Sequence, residues 1–101
     1  MNTLMLIKHI ETRIVVALYS SSEEKAIQTW HNFFKDEWEP IYLNERNRSG
    51  HRYQLECTMP RDPGYLYSRE IICFSKKEAL YLKNKIEKIN QNYIIQIKKL
   101  Y

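Results

Sequence analysis

Arg46, Arg48, Arg52, Arg61 and Arg69 fall within 24 positions of a 101-residue chain, and Arg13 is the only arginine elsewhere. Tyr53, Tyr65 and Tyr67 are interleaved with them. A guanidinium is a planar fork that grips phosphate or carboxylate through two parallel hydrogen bonds. A tyrosine ring adds a rigid stacking face at low entropic cost. That pairing serves RNA bases, single-stranded DNA and the hot spots of protein interfaces. The bland alternative is a solvated loop whose arginines pair with Glu37, Glu39 and Glu45.

A second basic set follows in Lys76, Lys77, Lys83, Lys85 and Lys88. On a helix, Lys76 and Lys83 lie two turns apart on one face with Leu80 between them, and Tyr81 sits near Lys77, Lys85 and Lys88. This is either an ordinary solvated face or one side of a basic docking surface. The candidate contact site is therefore Arg46, Arg48, Arg52, Arg61, Tyr65, Tyr67 and Arg69, flanked by Lys76 and Lys83.

Catalytic arrangements are missing from the pattern. The two aspartates, Asp36 and Asp62, do not form a metal-binding pair by spacing, and His9, His31 and His51 are isolated. His31 falls at the margin of an apolar arc, which suits packing or capping. His51 and Cys57 share a strand face, but six residues of extended chain span roughly 20 Å, too far for a hydrogen bond. There is no zinc spacing, phosphate loop or nucleophile elbow. No metal, no cofactor and no enzymatic activity are expected.

The net charge is +4 with a pI near 9.1, and it is polarised. Residues 1–45 hold four basic against seven acidic groups, and residues 46–101 hold twelve against five. A basic half favours polyanions or an acidic protein surface. Cys57 and Cys73 lie in apolar stretches and are expected as buried free thiols. No apolar run approaches the roughly 18 residues of a membrane helix. The run Leu4–Ile7 is shorter than the roughly 7–15 residues of a secretory h-region, so a cytoplasmic protein of a bacterium or an infected host cell is expected.

The elements that must position these groups can be read from periodicity. Leu4–Ile10 and Arg13–Tyr19 are β-rich, either a hairpin or one long bent strand. The uninterrupted run Ile14–Leu18 suggests a central strand covered on both faces. Ser20/Glu23 and Ser21/Glu24 both fit a capping box opening a helix to about Asp36. Its apolar arc is Ala26, Ile27, Trp30, Phe33 and Phe34. Pro40 stops the helix, and Ile41–Leu43 is a short strand. Tyr53, Leu55 and Cys57 alternate with polar residues as a half-buried strand, and Ile71–Phe74 is buried. Ser75 and Glu78 form a second capping box. The helix behind it runs to about Asn90, with Ala79, Leu82, Ile86 and Ile89 on one stripe and Asn90 or Asn92 suited to a left-handed exit. Tyr93–Tyr101 closes the chain as a strand.

The chain thus reads as one α+β domain, 1–101, made of two strand–strand–helix–strand units, 1–45 and 46–101. It resembles a ferredoxin-like sandwich, a mainly antiparallel sheet with two helices packed on it. That resemblance is topological and implies no function. Trp30, Phe34, Leu82 and Ile86 are expected in the core, against strand residues such as Val16 and Ile72. Three functions fit. The first is a non-enzymatic protein that binds RNA or DNA, or a nucleoprotein, through the Arg/Tyr segment. The second is a small phage- or mobile-element-type inhibitor or adaptor that docks on a host protein complex. The third is a compact enzyme with a scattered active site. Monomer and homodimer are both open, and no membrane partner is expected.

Overall fold

The run Leu4–Ile7 becomes the central strand on which the first unit is built. The computed structural model describes residues 3–45, 53–58 and 69–100. The chain divides into two units, Met1–Arg48 and Ser49–Tyr101. Each carries its own three-stranded antiparallel sheet, so the hydrogen bonding gives two sheets where the sequence suggested one.

In the first unit, β1 (Thr3–His9) pairs with β2 (Val15–Ser20) on one edge and β3 (Trp38–Glu45) on the other. A hairpin therefore joins β1 to β2. The His9 amide donates to the Ile14 carbonyl at 2.8 Å, and the Arg13 amide donates to the His9 carbonyl at 3.0 Å. Arg13 closes the turn in the left-handed region, at φ 61°. The expected central strand is thus corrected. Ile14–Leu18 contributes β2, an edge strand with Val16, Ala17 and Leu18 half-buried, while Leu4–Ile7 is fully buried in the middle. An unbroken apolar run reports that both faces are covered; it does not report how many strands flank it.

β3 extends well beyond the expected Ile41–Leu43 and runs through Pro40. Leu6 stands opposite Tyr42 and Ile7 opposite Pro40, so Ile41 is an extra residue in the ladder. A bulge on an edge strand is where a residue without an amide hydrogen is tolerated.

Helix α1 (Glu23–Phe33) crosses between β2 and β3. Its cap is Ser22, one residue after Ser21 and two after Ser20, with Oγ accepting from the Lys25 amide at 3.2 Å. Glu23 and Glu24 therefore occupy the first turn, where negative charge complements the exposed amides. Met5, Ile7 and Ala26 form the core, packed by Val16, Leu18, Trp30, Phe34, Trp38 and Leu43. Trp30 and Phe34 are half-buried, less than expected, and the Trp30 indole N–H donates to the Trp38 carbonyl at 2.9 Å. The helix ends at Phe33 rather than Asp36. Phe34 packs into the core from the cap position and Phe33 is left 78% exposed, off the apolar arc the sequence suggested.

The second unit repeats the order. β4 (Tyr53–Thr58) lies between β5 (Arg69–Cys73) and β6 (Ile94–Lys99), with α2 (Lys76–Ile89) joining the outer two. Leu55 stands opposite Ile71 and Ile97, and Cys57 opposite Ile95. The face bearing Leu55, Cys57, Ile71, Cys73 and Ile95 is buried, and Ala79, Leu82 and Ile86 are the buried stripe of α2. Ile72 falls on the opposite face by strand alternation, so Ile71 and Cys73 take the place expected of it. On that opposite face Lys98 Nζ pairs with Glu56 Oε2 at 2.6 Å.

Ser75 caps α2 as expected, its Oγ accepting from the Glu78 amide at 3.1 Å. Glu78 Oε1 reaches back to accept from the Phe74 amide at 3.2 Å. Asn90 ends the helix with extended backbone, φ −146°, rather than left-handed geometry. It works through its side chain instead, Oδ1 accepting from the Asn92 amide at 3.0 Å.

Two stability predictions follow from this packing and capping. Leu82→Ala should cost about 2–5 kcal/mol in a denaturant titration, while Phe33→Ala should stay within about 0.5 kcal/mol. Ser75→Ala should cost about 0.5–2 kcal/mol, read in the same titration, because the Glu78 amide loses its acceptor.

Candidate nucleic-acid interface

Helix α2 carries positive charge outward. Its buried stripe turns the rest of the helix to the surface, and Lys76, Lys77, Leu80, Tyr81, Asn84 and Lys88 are exposed. Tyr81 is 54% exposed and lies one turn from both Lys77 and Lys85. The Lys85 ammonium stands over the Tyr81 ring, 6.0 Å from its centroid. Lys88 lies a further turn along the same face.

The helix holds two carboxylates, and both are engaged. Glu78 serves the cap, and Glu87 Oε1 pairs with Lys83 Nζ at 2.9 Å. Among the described residues, Lys76, Lys77, Lys85 and Lys88 form no ion pair. Lys76 and Lys77 also occupy the first turn of the helix, where α1 carries Glu23 and Glu24. Cations there oppose the partial positive charge of the exposed amides, at a cost of about 0.3–1 kcal/mol each.

The structure locates the sequence-derived site only in part. Arg46, Arg48, Arg52, Arg61, Tyr65 and Tyr67 lie outside the described residues, as does His51. Arg69 opens β5, with its backbone opposite Cys57. Lys76 is exposed as a flanking residue would be, whereas the Lys83 charge is partly matched by Glu87. Tyr81, Lys77 and Lys88, which stood outside the candidate set, share the outward face. The signal for them was present in the i±4 spacing around Tyr81.

The first unit offers a different surface. Glu23, Glu24 and Glu45 rim an open cleft of about 540 Å³ beside Ile27. A smaller hollow, about 230 Å³, lies at the end of α1 between His31 and Trp38. His31 is exposed, not packed into the core, and the His9 ring meets Trp38 edge-on at 4.9 Å. Among the described residues, no group of three His, Cys, Asp or Glu side chains is placed to hold a metal ion. No helix among them is long and apolar enough to cross a membrane.

Cys57 and Cys73 are buried free thiols, as expected. Cys73 pairs with Tyr53, which puts it four ladder positions from Cys57, roughly 13 Å away and beyond disulfide reach. Burial pushes the Cys57 thiol up to about 12, which favours its protonated form.

No protein-family model matches the chain, and no curated protein and no solved structure matches it.

Cys57 should accordingly react with an alkylating reagent only at the rate of unfolding. Because the fold holds this thiol protonated, its contribution to stability is intact below about pH 9 and falls as pH rises from about 9 towards 12. Mass spectrometry of folded and denatured protein, with denaturant titrations at rising pH, checks both. Rapid labelling of folded Cys57 would contradict its placement on the α2-facing side of the sheet.

Proposed function

We propose that this chain is a non-enzymatic nucleic-acid-binding protein whose basic half, residues 46–101, supplies the contact surface. The observation that carries the reading is the outward face of α2. Lys77, Tyr81, Lys85 and Lys88 stand together there, and the two carboxylates of the helix are engaged elsewhere. The Arg46–Arg69 cluster lies in the same half of the chain and adds guanidinium forks and tyrosine rings. Lys76 and Lys77 weaken the start of their own helix, so local stability does not account for them. A phosphate backbone does, since it rewards clustered cations through counterion release.

The ferredoxin-like reading of the fold belongs to this proposal. In each unit the two outer strands are parallel to each other and joined by a helix, with an antiparallel strand between them, the split β–α–β arrangement. A cytoplasmic setting goes with a nucleic-acid partner. A second reading, an inhibitor or adaptor that docks on a host protein complex, is favoured by Leu80, 44% exposed beside the lysines.

Fluorescence anisotropy with labelled RNA, single-stranded DNA and duplex DNA tests the proposal. Binding should weaken steeply between about 50 and 200 mM salt. The double variant Lys77→Gln/Lys88→Gln should bind more weakly across all sequences and lower the salt slope by about 1.4–1.8, or 0.7–0.9 per lost phosphate contact. Wild-type protein that binds none of the three at low salt would reject this reading in favour of the adaptor.

A further inference from the structure

We infer that the outward face of α2 takes single-stranded nucleic acid, with Tyr81 as the platform on which a base stacks. The inference rests on the nucleic-acid reading above and narrows its ligand. A duplex and a single strand carry the same phosphates, so lysines alone do not choose between them. An aromatic ring does, because a base face is available to it only where the base is unstacked.

Four observations converge on Tyr81. Tyr81 is 54% exposed as a residue, on a helix whose buried stripe is Ala79, Leu82 and Ile86, so core packing does not require a tyrosine there. Contrast Tyr93, which is buried just before β6 and packs as part of the core. The residues one turn to either side are Lys77 and Lys85, and Lys88 lies nearly two turns on, so a backbone running along the helix meets cations before and after the stacked base. Lys85 already stands 6.0 Å from the ring centroid, and the phosphates flanking a base stacked there come near the same ammonium. Asn84, exposed one turn from Tyr81, adds an amide that can donate to and accept from a base edge. Duplex DNA would meet the cations and leave the ring without a base to stack on.

The test uses the full chain and three fluorescein-labelled probes of about 12 nucleotides, in the range of known single-strand sites: oligouridylate, oligothymidylate and a mixed-sequence DNA duplex. Wild-type protein should bind the single strands more tightly than the duplex. Tyr81→Ala should weaken single-strand binding by about 5- to 150-fold, the range found when one stacked base loses its platform. Tyr81→Phe keeps the ring and should stay within about twofold of wild type, and the duplex should be indifferent to both changes. Tyr81 is on the surface, so circular dichroism of both variants should match wild type. A preference for oligouridylate or for oligothymidylate supports the inference equally and tells ribose from deoxyribose. Duplex binding as tight as single-strand binding overturns it. So does a Tyr81→Ala variant that binds single strands like wild type, and in either case the nucleic-acid reading stands. Wild-type protein that binds no probe at low salt overturns both.

Discussion

A strand paired along both edges leaves its backbone no freedom of register, and each unit depends on one. β1 is held between β2 and β3, and β4 between β5 and β6. In such a strand a slip of one residue turns every side chain to the opposite face. Met5 and Ile7 would leave the core under α1, and Leu55 and Cys57 would leave the face that buries Ile71 and Cys73. The helices are then dictated from below. Ala26 and Trp30 fit over Met5 and Ile7, and the stripe Ala79, Leu82 and Ile86 covers the buried face of the second sheet.

The start of α2 and the strand alternation were legible because they depend on neighbours in sequence. Ser75 and Glu78 announced the start of α2, and alternation placed Tyr53, Leu55 and Cys57 on one face. The choice of central strand and of the buried isoleucine failed because it depended on partners distant in the chain. The Ile14–Leu18 run looked central, yet it is the Leu4–Ile7 run that collects two neighbours. Ile72 and Ile71 are equally apolar, and only the register with Leu55 separates them. At α1 the sequence pointed to Ser20 or Ser21, and it is the third serine, Ser22, that accepts from the amide of Lys25. Phe33 and Phe34 likewise compete for one seat, decided by where the helix stops.

The candidate site was legible as charge and much less as geometry. Lysines at 76, 77, 83, 85 and 88 look alike as a composition, but the fold sorts them. Lys83 has Glu87 within 2.9 Å, whereas Lys77, Lys85 and Lys88 surround an exposed ring. That sorting needs the orientation of the buried stripe, which follows from the sheet beneath it.

The two helices differ in the charge of their first turns. They join equivalent strands in units of the same order, and each starts at a serine whose side chain caps an amide three residues on. Stability alone favours acidic residues in the first turn of both. α1 follows that preference with Glu23 and Glu24; α2 opposes it with Lys76 and Lys77 and recovers part of the loss through Glu78. On α2 the residues that hold the fold, Ala79, Leu82 and Ile86, are separate from those that carry charge outward. Substitutions on one stripe therefore leave the other nearly undisturbed. Lys76 and Lys77 thus depart from the local electrostatic optimum on a helix whose buried stripe does not require them, which is the departure the proposed polyanionic partner would explain.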